Sequence, residues 1–159
     1  MKTIIAYDSM FGNTEKVARA IGSIFEETED SLTMHVESIQ PRHMEDVEIL
    51  ILGSPTRKFQ ATPAALDFIR KIPINRCNQL RFATFDTRVA LGDINSAFLK
   101  KMMGMFGYAA EPLAKILRKK GANQLINSEG FYVNDTEGPL KEDELKRAKE
   151  WAREIKGLI

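Results

Sequence analysis

Apolar runs alternate with amphipathic stretches along the whole chain. Thr3 to Tyr7 is a short apolar run of the kind that forms a buried strand. Asn13 to Glu27 carries Val17, Ala18, Ile21, Ile24 and Phe25 at helical spacing, which predicts one buried helix face. Leu32, Met34 and Val36 alternate with Thr33 and His35, the pattern of a strand buried on one side, as at a sheet edge. Val47 to Leu52 holds four aliphatic residues in a row, Ile49 to Leu52, and predicts a strand buried on both faces. Thr62–Pro63 reads as a helix cap followed by proline at the first helical position, with Leu66, Ile69 and Ile72 on the buried side. Phe82 to Phe85 predicts a fourth strand. Leu113, Ile116 and Leu117 mark a helix that stops at Arg118–Lys119–Lys120–Gly121, with cations in its last turn and glycine beyond. Gln124–Ile126 and Phe131–Val133 read as two parts of a fifth strand. Leu145, Ala148, Ala152 and Ile155 line a final helix whose first turn is expected to hold Glu142 and Asp143.

The resulting order is βαββαβαβα. Strands buried on both faces and joined by helices predict a mostly parallel sheet. Right-handed crossovers then place helices on both of its faces. Glu37 to Asp46 contains Pro41 and predicts no helix. Asn95 to Phe106, with Phe98, Met102, Met103, Met105 and Phe106, predicts an additional helix. It is either core or, beside a ligand, a surface for a quinone, a porphyrin-like molecule or a partner protein. The 159 residues suffice for one domain, 1–159, whose core needs no staples.

Charge narrows the function classes. Lys+Arg is 23 and Asp+Glu is 22, so the basic excess that broad nucleic-acid binding requires is missing. Cys77 is the only cysteine, which excludes an intramolecular disulfide and suits a reducing cytoplasm. A cysteine-ligated metal site is not expected, and His35 and His43 lack metal-ligand spacing. No apolar run approaches the roughly 18 residues that would predict a membrane span, and the N-terminal run does not resemble a signal peptide.

In an open α/β sheet, ligands bind beyond the carboxyl ends of the strands. The loops to inspect are therefore Asp8–Thr14, Gly53–Ala61 and Asp86–Gly92. The first holds Ser9, Gly12, Asn13 and Thr14 and runs straight into a helix. Free amides at a helix start, together with the helix dipole, form an anion site without any lysine. The same residues also suit an ordinary capped turn. No G-x-G-x-x-G follows the first strand and no G-x-x-x-x-G-K-[ST] occurs. Strand three ends Gly53–Ser54–Pro55, where a response regulator would need an aspartate.

Tyr7–Asp8–Ser9–Met10–Phe11–Gly12–Asn13–Thr14–Glu15 resembles the flavodoxin phosphate loop, [ST]-x-[TF]-G-[NT]-T. Gly53–Ser54–Pro55–Thr56, followed by Thr62–Pro63, is similar to the stretch beneath the flavin ring in that family. Phe85–Asp86–Thr87–Arg88 and the later Glu137–Gly138–Pro139–Leu140 are similar to single-domain members, so the resemblance spans nearly the whole chain. It implies a doubly wound sheet of five parallel strands in the order 2-1-3-4-5. It also implies FMN, with the phosphate in Ser9–Met10–Phe11–Gly12–Asn13–Thr14. The isoalloxazine ring would lie between Pro55, Thr56, Arg57, Lys58 and Phe59 on one side and Asp86, Thr87 and Arg88 on the other. The chain departs from the family in its ring-stacking aromatics: the second loop offers only Phe59 and the third offers none. Arg57 and Lys58 are either solvated or raise the potential of a nearby flavin. Arg88 either meets the flavin or pairs with Asp86.

Three functions follow as expectations. One is an FMN electron carrier that docks with a redox partner protein. The second is an FMN-dependent oxidoreductase passing electrons from a nicotinamide to a quinone, or acting as a protoporphyrinogen-type oxidase. The third is a flavin-free interaction protein. Near-neutral charge weakens the first, because carriers steer encounter by charge.

Overall fold

The computed structural model describes residues 1–26 and 30–159. In chain order, strand β1 (Lys2–Tyr7) leads to helix α1 (Asn13–Phe25) and strand β2 (Ser31–His35). Two 3₁₀ turns, Val36–Ser38 and Pro41–Met44, then lead to β3 (Val47–Pro55). Helices α2 (Pro63–Lys71) and α3 (Ile74–Cys77) precede β4 (Arg81–Val89). A 3₁₀ turn at Leu91–Asp93, α4 (Ala97–Phe106) and α5 (Ala110–Lys119) lead to β5 (Asn123–Gln124), β6 (Glu129–Val133) and α6 (Glu144–Gly157).

The sheet is parallel, in the order β2-β1-β3-β4, and its last position is shared by β5 and β6, both paired with β4. The fifth strand expected from sequence is thus two short pieces, which makes six strands in all. Side-chain alternation divides the core between the faces. Ile4, Ala6, Leu50, Leu52 and Phe82 pack against Ala65 and Ile69 of α2 and Leu113 and Leu117 of α5. Ile5, Ile49, Ile51 and Phe85 pack on the other face against Val17 and Ile21 of α1 and Trp151 and Ile155 of α6. Trp151, Phe85 and Phe131 meet edge to face, with centroids 6.0–6.2 Å apart, the arrangement that ring quadrupoles favour.

Three sequence expectations are corrected and a fourth is narrowed. β4 does not stop at Phe85: Asp86, Thr87 and Arg88 continue it, held by Ser54 and Pro55 of β3 and by Gly130, Phe131 and Tyr132 of β6. Their polarity suggested a loop, but pairing on both sides keeps them in the sheet. β2 is an edge strand, and its apolar row is only partly covered: Val36 just beyond it is core and Met34 is half-buried, as is Thr33 on the other side. Thr33 lies against Gly22 of α1, whereas Leu32 is 37% exposed, because only 3₁₀ turns follow β2 where a helix would cover Leu32 and Met34. Glu142 and Asp143 precede the last helix, and Asp143 is its left-handed N-cap with φ 65°. Finally, of the two readings of 95–106, core or surface, α4 buries only Met103 among its described side chains, while Phe98, Leu99 and Met105 are exposed. α1 ends at Phe25, and the Glu27 expected in it lies outside the described residues.

Gly53 shows how packing fixes one residue of the second loop's start. A Cβ there would sit 2.1 Å from the ring of Phe85 on the neighbouring strand. Gly53→Ala is therefore expected to lower stability by about 1–3 kcal/mol, the usual range for overpacking. Urea denaturation measures it, and an unchanged midpoint would show that Phe85 simply swings away.

Candidate functional site

The first loop ends in an uncapped helix. Gly12 takes φ 87° at the N-cap of α1, and no side chain caps the first turn. The left-handed backbone at this position is why glycine stands there. The first helical bond runs from the Lys16 amide to the Gly12 carbonyl, 3.1 Å, so the preceding amides have no acceptor within the helix. Ser9 Oγ accepts from the Gly12 amide at 3.1 Å, which leaves its hydroxyl proton free to donate. Thr14 is 1% exposed, and its Oγ1 lies 2.8 Å from Thr87 Oγ1. Two hydroxyls sharing one hydrogen bond retain one donor for a third group. Asp8 holds the loop from behind by accepting from the Ser9 amide at 2.9 Å and from His35 Nε2 at 2.9 Å. Asn13 Nδ2 donates to the Glu137 carbonyl at 3.0 Å and so ties the later Glu137–Gly138 turn to the start of α1.

The second loop is a tight reversal. The Arg57 amide donates to the Gln60 carbonyl at 2.9 Å and the Gln60 amide to the Arg57 carbonyl at 3.0 Å. Between them Lys58 has φ 47° and Phe59 φ 67°, a backbone that hairpin turns normally give to Gly, Asn or Asp. Left-handed backbone costs ordinary residues roughly 1–2 kcal/mol each, and such strain gathers at functional loops. Arg57 reaches back across the site, its guanidinium 5.5 Å from the Phe11 ring centroid. The side chain of Thr56 faces the chain after α4, accepting from the Ala109 amide at 3.0 Å.

Asp86 and Arg88 form the third element. Asp86 is fully buried. It accepts from Arg88 through both oxygens, at 2.5 and 2.7 Å, and from the Ala110 amide at 2.8 Å. Burial raises the Asp86 carboxyl above its ordinary value, while Arg88 and the Ala110 amide pull it down. The Arg88 guanidinium also stacks 3.8 Å from the centroid of Tyr108. Of the two roles open to Arg88 from sequence, the structure shows the pairing with Asp86. Gly130 makes room for it, since a Cβ there would stand 2.3 Å from the guanidinium.

These elements enclose a cavity of about 80 Å³. Ser9, Met10, Phe11, Asn13 and Thr14 line it from the first loop, Pro55, Thr56 and Arg57 from the second, and Thr87 and Arg88 from β4. Of the expected site residues, Gly12 forms the helix cap, while Lys58, Phe59 and Asp86 do not line it. Val89, Val133 and Thr136 also line it: Val89 ends β4, while β6 brings Val133, and Thr136 just beyond it, alongside from more than 40 positions away. Tyr108 was missed because it reaches Arg88 from beyond a whole helix, and only its aromatic character marked it. The cavity has room for a phosphate-sized anion and lies well below the ~300 Å³ of pockets that enclose a whole small ligand.

A larger cavity of about 530 Å³ lies between the two 3₁₀ turns after β2 and helix α2, lined by Ile39, Met44, Phe68 and Ile72 among others. Its arginine, Arg76, is engaged with Gln79 at 2.8 Å and the Met44 carbonyl at 2.9 Å. No expected site residue lines it, so size alone does not make it the functional centre.

Among solved structures the chain is similar to a flavodoxin from the domain Archaea, at 19% identity and a TM-score of 0.77, covering 99% of each chain. It is similar to flavodoxin 2 of Bacillus cereus, at 19% identity and a TM-score of 0.75, over 100% of both chains. It also matches rubredoxin oxygen:oxidoreductase of Desulfovibrio gigas, at 20% identity and a TM-score of 0.72, covering 99% of this chain and 36% of that one. At these identities the likeness is one of fold. No curated protein matches the chain. Among the described residues no helix is long and apolar enough to cross a membrane. The family model for flavodoxin matches residues 5–151, nearly the full length of the sheet and helices described above, and the chain belongs to the flavodoxin family.

Proposed function

We propose that the chain binds FMN and acts as an electron carrier. The observation that supports this most is the start of α1: an uncapped helix whose amides, with the Ser9 and Thr14 hydroxyls, surround a cavity of about 80 Å³. The donor set suits a phosphate dianion, which gains from unpaired amides and from the positive end of the helix. One phosphate fits, and the absence of a dinucleotide fingerprint favours FMN over FAD. The flat ring system is too large for the cavity and would rest on its open rim, beside Arg57 and Arg88. In this reading residues 1–159 form one domain in a reducing cytoplasm, and buried Cys77 takes no part.

Bound FMN supplies the ability to accept and release electrons. The chain's own groups do the rest. Ser9, Thr14 and the first amides of α1 anchor the phosphate. Thr87 orients the Thr14 hydroxyl. Asp86 fixes the Arg88 guanidinium in the wall, and Tyr108 stacks against it, so that one positive edge faces the rim at a set position. That charge is partly offset by Asp86, which limits how far it can favour a reduced, anionic ring.

The oxidoreductase reading has one observation in its favour: only Phe59, among residues 53–61 and 86–92, is an aromatic available to cover a ring, which leaves a face open to a substrate. Anaerobic titration separates the two. A carrier is expected to be reduced by dithionite in separated one-electron steps and to ignore NADH and NADPH. Direct reduction by either nicotinamide would overturn the carrier and support the enzyme.

A further inference from the structure

We infer that the exposed face of α4, together with the 57–58 turn, is a docking surface for an acidic redox protein; this rests on the flavin reading above and names the partner class of that site. In α4 only Lys100, Lys101 and Gly104 are not apolar. Yet Met103 alone is buried among the described side chains of that helix. Phe98 is 69% exposed and Met105 65%. At 100° per residue, Phe98, Met102 and Met105 project within about 60° of one another, and Lys101 flanks them. A helix this apolar is normally buried, and an apolar patch rimmed by charge marks an interaction site.

The helix stands at the end of the sheet that carries the cavity. Its following segment returns to the site through Tyr108, which stacks on Arg88, and through the Ala109 amide, which donates to Thr56. On the same side, exposed Met10 and Phe11 and the 57–58 turn add apolar surface and two more cations. Arg57, Lys58, Lys100 and Lys101 form no ion pair among the described residues. Of the exposed carboxylates near this end, Asp93 before α4 is paired with Lys141, and Asp135 and Glu137 lie on the segment that Asn13 ties to the start of α1. The end of the sheet is therefore polarised, with cations and apolar side chains on the α4 side. Charge complementarity selects a partner whose own redox face is acidic, while the apolar centre supplies the contact that survives desolvation.

The test uses the full chain loaded with FMN, reduced with dithionite, and mixed in a stopped-flow instrument with oxidised rubredoxin, an acidic electron carrier, or with cytochrome c, a basic one. The rate with rubredoxin is expected to fall as salt rises, and that with cytochrome c to stay flat or rise. K100E/K101E is expected to slow rubredoxin reduction on the order of tenfold at low salt and to speed that of cytochrome c. Phe98→Ser should slow rubredoxin with little change in its salt slope. A rubredoxin rate indifferent to K100E/K101E overturns the proposal. So does co-sedimentation with phosphatidylglycerol vesicles that Phe98→Ser abolishes, because it assigns the face to a membrane. A dimer in ultracentrifugation that Phe98→Ser dissociates assigns it to a second copy and overturns the proposal as well. If the chain takes up no FMN, the flavin reading fails on its own, and calorimetric binding of oxidised rubredoxin, wild type against K100E/K101E, still decides the surface.

Discussion

Arg88→Ala is expected to destabilise the protein by about 3–5 kcal/mol, the loss that follows when one partner of a buried ion pair is removed. Asp86 is fully buried and its two oxygens are held by Arg88. Alanine would leave the carboxylate with only the Ala110 amide and would uncover one face of Tyr108. The loss should depend on pH in a defined sense. Burial already raises the Asp86 carboxyl above its ordinary value, and without the guanidinium it rises further. A carboxyl whose pKa is higher folded than unfolded destabilises the fold as pH rises through that window. The deficit of the variant should therefore be greatest near neutrality and shrink as pH falls and Asp86 takes up a proton. Asp86→Asn in the same chain, with Arg88→Met, removes the buried charge while keeping an acceptor for Ala110, and should recover most of the stability. Urea denaturation between pH 5 and 8 measures all three. A loss below about 1 kcal/mol for Arg88→Ala would show that water reaches Asp86 and does the work assigned to the arginine.

Thr14→Ala is expected to weaken FMN binding roughly ten- to a hundredfold, the equivalent of losing one hydrogen bond to a charged group, about 1.5–3 kcal/mol. Thr14 is not the cap of α1; Gly12 is. The fold should therefore lose only the Thr14–Thr87 bond, on the order of 1 kcal/mol. Thr14→Ser keeps the hydroxyl and should bind nearly as wild type. Quenching of flavin fluorescence gives the dissociation constants. Equal affinities for wild type and Thr14→Ala would place the phosphate elsewhere.

Much of this was legible in the chain. The apolar rows at Ile4–Ala6 and Ile49–Leu52 are buried on both sides, as doubly covered parallel strands must be. The Arg118–Gly121 stop signal ends α5 where expected, with Gly121 at φ 94°. The first loop runs straight from β1 into α1, so the uncapped helix start proposed above as the phosphate site could be read from local sequence. What escaped reading was set by partners distant in sequence. Asp86 to Arg88 look like a loop until β6 comes alongside. Tyr108 joins Arg88 across α4, and Thr136 arrives with β6. Leu32 and Met34 alternate as a core face should, but the helix that would bury them is replaced by two 3₁₀ turns. Methionine and phenylalanine at helical spacing in α4 suggested core, and periodicity alone does not tell a helix that faces its own domain from one that faces a partner.

The central claim is that one FMN is held at the start of α1. Its most direct test is to purify the protein, record the visible spectrum, and release the bound cofactor for mass analysis, with Thr14→Ala prepared in parallel. Flavin absorption bands, FMN as the released species at up to one per chain, and reduced occupancy in the variant are expected. Release of FAD alone, or a colourless protein that takes up no added FMN, would contradict the claim.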